Sequence, residues 1–392
     1  MYSILEGVKV IDLTRLLPGA LCSMMLADMG AEVLKVEDTS KGDYMRWMKP
    51  MVKELSYYFL ITNRNKRSIK LNLKEEEGRE IFLKLARDYD VVLDGFRPGV
   101  MDRLGLGYET LAGVNQKIIY CAISGFGMDG PYRDKVGHDI NYIGIAGILN
   151  GTGTPDGGAA IPSVQLGDIG VGSMMSVVGV LAGLREQQRT GKGINIDISM
   201  LDGLLFYMHL VMAEYFADGK LPVRGDDALT GKFPCYHIYK TKDDRYMAVG
   251  NLEDKFWEVM CDVIERPDLI EFQYATGEKR DKVVSELNKI FSQKTMVEWS
   301  ELFQDRDTCV SQVNDPKDVT EDPHIRHRGI FFEMDHPTEG KIKQIRLPIK
   351  FQGLDARADI PAPAYGQHTE EVLRGLGYSV DEINQLAGNG VI

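Results

Sequence analysis

The chain has 392 residues, 46 of them basic and 58 acidic, for a net charge of −12 at neutral pH. That balance disfavours non-specific binding to nucleic acid or anionic membranes, which needs a basic face, but leaves room for a local basic pocket. With 44% hydrophobic and 27% charged residues, the sequence reads as a soluble globular protein long enough for two or three domains.

Residues 8–13 predict a short strand. Pro18 and Gly19 open a helix over 20–29, which Gly30 ends. Residues 32–37 and 68–73 are strand-like, and 75–89 place Ile81, Phe82 and Leu85 at helical spacing. Residues 91–93 and 118–123 are continuous apolar runs, as expected of strands buried on both faces of a parallel sheet. The repeated β-α-β order predicts a doubly wound α/β domain, which binds ligands outside the carboxyl ends of its strands. Between Ile140 and Gly172 glycine is dense, with an exposed turn or flap over 150–158. A long helix over 173–189, an alternating strand over 194–199 and a helix over 200–216 follow. Residues 217–232 are polar and read as a linker. A separate α+β unit has strands at 236–239 and 246–249, then helices through about residue 303. The last 60 residues, with Pro348, Pro361 and Pro363, read as extended and end in a short helix around 368–376.

The five cysteines, Cys22, Cys121, Cys235, Cys261 and Cys309, are scattered and have no CxxC spacing, so reduced thiols and no metal site are expected. Residues 1–7 have neither a basic nor an apolar leader region, and the most apolar long stretch, 174–184, is too short to cross a bilayer. A cytoplasmic location is expected, with no membrane or nucleic-acid partner.

Two proton-transfer groups sit beside glycines: His138 in Gly137-His138-Asp139-Ile140-Asn141-Tyr142, and Asp168 in Gly167-Asp168-Ile169-Gly170. Imidazole ordinarily titrates at about 6.5 and a carboxylic acid at about 3.9, and burial or neighbours tune both toward neutrality. Removing a proton from one face of a carbon and returning it to the other needs both groups, whereas a carboxylate nucleophile needs only the aspartate. On the residues alone, a helix N-cap is the preferred reading of Asp168 over a catalytic acid. A structural histidine is likewise the preferred reading of His138, and Asp139 reads as its orienting partner or as a cap. Arg64, Lys66 and Arg67 precede a strand, Arg97 follows the 91–93 strand directly, and Arg103 lies close behind; such residues suit an anionic ligand. The absence of GxGxxG and GxxxxGK[ST] disfavours dinucleotide and nucleoside-triphosphate enzymes.

Several segments together resemble the class III coenzyme A transferase superfamily. They are Asp12-Leu13-Thr14, residues 30–37, Asn65-Lys66-Arg67-Ser68, Leu71-Asn72-Leu73-Lys74, Phe96-Arg97-Pro98-Gly99, Arg103-Leu104-Gly105, Gly167-Asp168 and residues 366–373, so the likeness spans the chain. The resemblance implies a Rossmann-like α/β large domain over 1–216, a smaller α+β domain over 217–330, and a segment, 331–392, that returns to the large domain. It also implies two subunits interlocked like links of a chain. In the transferases the carboxylate corresponding to Asp168 attacks the thioester and becomes an acyl-aspartyl anhydride. In the α-methylacyl-CoA racemases it pairs with the histidine of Gly-His-Asp-Ile-Asn-Tyr, complete here at 137–142, near a glutamate matched by Glu253. The transferases often carry tyrosine or another residue where His138 stands. Many also have a glycine-rich loop that this chain lacks at residues 229–234. The chain therefore resembles the racemase branch, with His138, Asp168 and Glu253 as catalytic residues. Leu71, Asn72, Leu73, Lys74, Gly95, Phe96, Arg97, Arg103, Gly137 and Asp139 are the implied CoA contacts. CoA is part of the substrate, so no separate cofactor is expected.

The implied reaction inverts the α-carbon of a 2-methylacyl-CoA through an enolate, with N–H groups around residues 168–170 as the expected oxyanion donors. Several of the 18 methionines fall within 174–212, where ordinary helix core is the preferred reading over an acyl-binding wall. Relatives often place an arginine for the CoA nucleotide just after residues 36–37. Here that position is Asp38, leaving Arg64, Lys66 or Lys74 to compensate. The alternative reading is CoA transfer between an acyl-CoA and a free acid. A non-catalytic CoA-binding protein is a third, opposed by the complete His-Asp-Glu set.

Overall fold

Strands β1 (Lys9–Asp12), β2 (Glu32–Glu37), β3 (Lys66–Lys70), β4 (Val91–Asp94), β5 (Ile119–Ser124) and β6 (Ile194–Ser199) form one parallel sheet in the order 3-2-1-4-5-6. The structure is a computed structural model, and it describes residues 1–354 and 356–392. Strand side chains alternate in direction, so each strand feeds two cores. Ile11, Leu34, Ile69, Val92 and Tyr120 pack with Ile81, Phe82 and Leu85 of α2 (Glu76–Ala86), and with Leu373 and Leu386 from the C-terminal helices. Val10, Val33, Val91, Leu93, Ile119 and Cys121 pack on the other face. They meet Cys22 and Leu26 of α1 (Leu16–Asp28) and Val177, Val180 and Leu184 of α4 (Met174–Thr190). β6 closes one edge and is largely exposed, which is why it alternates where β4 and β5 run apolar.

The strand order reverses between β1 and β4, the position at which doubly wound sheets bind ligands outside the carboxyl ends of their strands. The loop beyond β5 leads to α3 (Asp139–Ile145). β6 is followed by α5 (Met200–Tyr207) and α6 (His209–Asp218).

The chain divides into two compact units. The first comprises residues 1–146, 164–207 and 327–392, and the second residues 147–163 and 208–326. The expected bounds at 216/217 and 330/331 differ from this division: residues 147–163 and 208–216 belong to the second unit, and 327–330 to the first. That unit has a three-stranded antiparallel sheet of β7 (Tyr236–Lys240), β8 (Tyr246–Gly250) and β9 (Val310–Gln312), with β8 central. Its core is aromatic, with Tyr239 stacked on Phe291 at 5.0 Å and Phe291 against Trp299 at 4.9 Å.

Several expected elements differ in extent. Helix α1 begins at Leu16, four residues early, because proline fits the first turn of a helix as well as the approach to it. The expected helix over 200–216 breaks at Met208 into α5 and α6. The C-terminal region is less extended than expected: β10 (Phe331–His336) and β11 (Gly340–Ile345) form a hairpin, and helices Thr369–Gly375 and Val380–Gly388 follow. The apolar stretch at 174–184 is part of a continuous helix, Leu166–Thr190, whose 25 residues are long and apolar enough to cross a bilayer. Of its apolar window 44% is buried, and Val177, Val180 and Leu184 lie against the sheet.

Candidate active site

His138 is the extended residue before α3, and its N–H donates to Asn141 Oδ1 at 3.0 Å. This fixes the backbone and leaves the imidazole exposed. One turn on, Tyr142 is buried and its hydroxyl donates to the Gly137 carbonyl at 2.7 Å. Gly125, just beyond β5, and Gly137 both give way to this ring: a Cβ on either would sit 2.5 or 2.7 Å from it. The glycine before His138 is thus a packing requirement.

Asp168 lies inside a wide helical turn of π type, Leu166–Ser173, which runs directly into α4. It is therefore within the helix rather than ahead of it as an N-cap. Such turns are rare and concentrate at functional sites. The turn is held from three sides. Gly172 touches Pro18 of α1, Gly203 of α5 lies against Val171, and the Tyr207 hydroxyl donates to the Gly170 carbonyl at 2.7 Å. From the fourth side, Asp139 Oδ1 accepts the N–H groups of Gly167 at 2.6 Å and Asp168 at 3.1 Å.

His138 and Asp168 are thereby brought into one electrostatic cluster. Burial, then the neighbouring Asp139 carboxylate, push the Asp168 carboxyl up to about 6, while His138 pulls it down. Burial, then Asp168 and Asp139, push the Tyr142 hydroxyl up to about 12. The expected oxyanion donors need correction. The Asp168 N–H is taken by Asp139 and the Ile169 N–H by the Gln165 carbonyl at 3.0 Å, so neither is free for a substrate oxygen.

The expected CoA contacts sort by position. Gly95, Phe96 and Arg97 follow β4, with Gly95 and Arg97 exposed, and Arg103 is exposed one turn further on. Leu71 and Leu73 point into the core, so only their backbone can face a ligand, while Lys74 is exposed. Asn72 is tied to the C-terminus through its N–H, which donates to the Val391 carbonyl at 2.8 Å. Glu253 is exposed in the second unit, directly ahead of α7 (Asp254–Val263).

Arg64 and Lys66 fail as anion ligands. Arg64 is 1% exposed and forks Asp28 at 3.0 and 2.5 Å. Lys66 is 2% exposed and bonds Asn63 Oδ1 at 2.7 Å and the Ala20 carbonyl at 2.9 Å. Burial brings the Lys66 amine down to about 8, against the pull of Asp12.

Three further residues lie at these carboxyl ends. Arg15 stands over Phe96 at 5.7 Å and Tyr44 at 5.0 Å. It pairs with Asp38, the residue standing where relatives often carry arginine, at 2.5 Å. Burial would raise Asp38, but the Ser40 hydroxyl, the N–H groups of Lys41 and Ser40, and Arg15 together hold it at about 2. The Arg133 and Arg103 guanidinium groups converge on Gly99, within 2.8 and 3.2 Å of where a Cβ would stand. Asp94 is buried under the 95–97 loop, accepting from the Phe96 N–H at 2.8 Å and the Tyr120 hydroxyl at 2.5 Å, and burial lifts it to about 6. Arg15 and Arg133 were legible as cations in loops after strands, and Asp94 as an acid ending an apolar run.

A doubly wound sheet with an acid–imidazole pair and a guanidinium-rich rim at its carboxyl edge describes an enzyme class for anionic substrates. Residues 5–369 match CoA-transferase family III, and the chain belongs to that family. Its members are enzymes acting on CoA thioesters, as racemases or as transferases. The chain is 35% identical to mouse succinyl-CoA:glutarate CoA-transferase, covering 99% of this chain and 90% of that one. It is 32% identical to human alpha-methylacyl-CoA racemase, covering 99% and 97%. Among solved structures, a CAIB/BAIF family protein from Brucella suis superposes with a TM-score of 0.83 at 30% identity, covering 96% of this chain and all of that one.

Proposed function

We propose that the protein inverts the α-carbon of 2-methylacyl-CoA thioesters. The observation that carries this reading is His138 and Asp168 in one cluster, with Asp168 lifted to about 6. A carboxyl in that range gains and loses a proton near neutral pH at little cost, which suits a reaction that runs in both directions. One group takes the Cα proton, and the electron pair left behind moves onto the thioester oxygen as an enolate. The other group then delivers a proton to the opposite face and the carbonyl re-forms. Substrate and product have the same composition, and the two groups end with their protonation states exchanged. Arg97, Arg103, Arg133 and Arg15 supply charge for the CoA phosphates. By the racemase resemblance Glu253 is a third catalytic residue, the active species is an interlocked homodimer, and the setting is cytoplasmic with no separate cofactor.

The second reading, CoA transfer through an Asp168 anhydride, draws support from the transferase relatives. It uses the same Asp168, as the nucleophile that forms the anhydride. Incubation of a 2-methylacyl-CoA in heavy water separates the two. Deuterium wash-in at Cα is expected, with His138→Ala losing about 10²–10⁴-fold of the rate. Intact CoA transfer to a free acid without wash-in would sink the racemase reading.

A further inference from the structure

Asp139 adjoins His138 in sequence, and its carboxylate accepts from the backbone of Asp168 in space. We propose that Asp139 is the positioning residue of this site: its carboxylate clamps the turn carrying Asp168 to the start of α3, directly after His138, and sets a second charge beside Asp168. The inference rests on the proton-transfer reading and deepens it.

The clamp is geometric. A single oxygen, Oδ1, accepts two successive N–H groups 28 and 29 residues away, at 2.6 and 3.1 Å. Gly167 permits the approach, since a Cβ there would stand 3.1 Å from that oxygen and 3.3 Å from Leu204. Both partners are neutral amides, which satisfy the oxygen without cancelling its charge. The remaining charge acts on Asp168 directly. A second carboxylate disfavours ionisation of the first, because two like charges then share a poorly solvated site. The groups coupled to Asp168 are Asp139 and Tyr142 on α3 and His138 before it; Tyr207 on α5 donates to the Gly170 carbonyl of the same turn. Of these, Asp139 raises the Asp168 carboxyl and His138 lowers it. A nucleophilic carboxylate gains from being ionised, whereas a general acid must arrive protonated. Asp139 therefore tilts the shared aspartate toward proton delivery.

The test compares the full-length protein with Asp139→Asn, Asp139→Glu and Asp139→Ala. Asn keeps an oxygen for the clamp and removes the charge; Glu keeps the charge and lengthens the reach. The first readout needs no substrate: the Asp168 carboxyl is followed by carbon-13 NMR against pH, assigned with Asp168→Asn. In Asp139→Asn its titration is expected to fall by about one unit, and in Asp139→Glu to stay near the wild-type position. The second readout is the pH profile of Cα exchange. In Asp139→Asn the limb set by Asp168 moves down with its titration, so kcat near pH 7.5 drops about tenfold with KM unchanged. Asp139→Ala, lacking clamp and charge, is expected to lose more and to lower thermal stability as well. An Asp168 titration unmoved in Asp139→Asn would overturn the proposal, whatever happens to activity. A titration that moves as expected in a protein whose wild type exchanges no Cα proton would uphold the role of Asp139 and refute the racemase reading.

Discussion

A carboxyl held beside a second carboxylate is expensive while ionised, and that cost has a sign. Asp168 titrates at about 6 in the fold against 3.8 as an ordinary aspartate, so the folded chain binds this proton more tightly than the unfolded one. Its contribution to stability is full below about pH 4 and is lost as pH rises through 6. Two units correspond to about 3 kcal/mol, reduced to roughly 1–2 kcal/mol by partial solvent access. Asp168→Asn is therefore expected to gain that much in urea unfolding at pH 8 and almost nothing at pH 4, while abolishing exchange. A variant less stable than wild type at pH 8 would refute this. The arginines divide in the opposite way. Arg64→Ala leaves Asp28 buried without its partner and should cost about 3–5 kcal/mol. Arg97→Ala, at an exposed position, should unfold like wild type while raising KM for acyl-CoA; equal thermal shifts in the two would contradict the division. The sequence marked both residues as cations. It could not separate them, because burial of Arg64 depends on Asp28, 36 residues earlier, and Gln344, 280 residues later.

Elements were legible where one local pattern governs them. β4 and β5 read as continuous apolar runs because both faces are covered, and β6 as an alternating strand because it is an edge. The π turn had no such signature. Gly167, Gly170 and Gly172 signal a loop locally, yet each is small because a specific neighbour, Asp139, Tyr207 or Pro18, presses on it from elsewhere in the chain. The break at Met208 was illegible for a similar reason, since methionine is a good helix former. The packing of the turn makes its position testable. A Cβ on Gly203 would lie 2.2 Å from Val171 in the turn, so Gly203→Ala forces the two apart. Overpacking of this kind costs about 1–3 kcal/mol and should displace Asp168, lowering the exchange rate more than CoA affinity. Adding Val171→Ala removes the obstructing methyls and should recover both stability and rate. Simple additivity of the two losses in a double-mutant cycle would mean that Gly203 and Val171 do not oppose one another.

At the scale of the whole molecule, a single copy exposes apolar surface that its own sequence pattern does not explain away. On α4, Val177, Val180 and Leu184 face the core, while Met174, Val178 and Leu181 form a second stripe at positions i, i+4 and i+7 and are 45%, 59% and 37% exposed. On α6 nothing is buried, and Leu210 and Phe216 are 67% and 74% exposed. A helix with apolar residues on opposite faces is covered on both in its working state. The proposed homodimer supplies that cover, and an obligate dimer of this kind buries on the order of 2,000 Å² or more. Folding and association are then one equilibrium, so Tm should rise with protein concentration. Sedimentation velocity is expected to give a dimer at low micromolar concentration, with Tm increasing between dilute and concentrated samples. Val178→Asp with Leu181→Glu places two charges in the covered stripe without touching Val177, Val180 or Leu184. It should lower Tm, steepen its concentration dependence and reduce exchange activity in step with the dimer fraction. A wild-type monomer with a concentration-independent Tm and full activity would show that these stripes are not covered by a second copy.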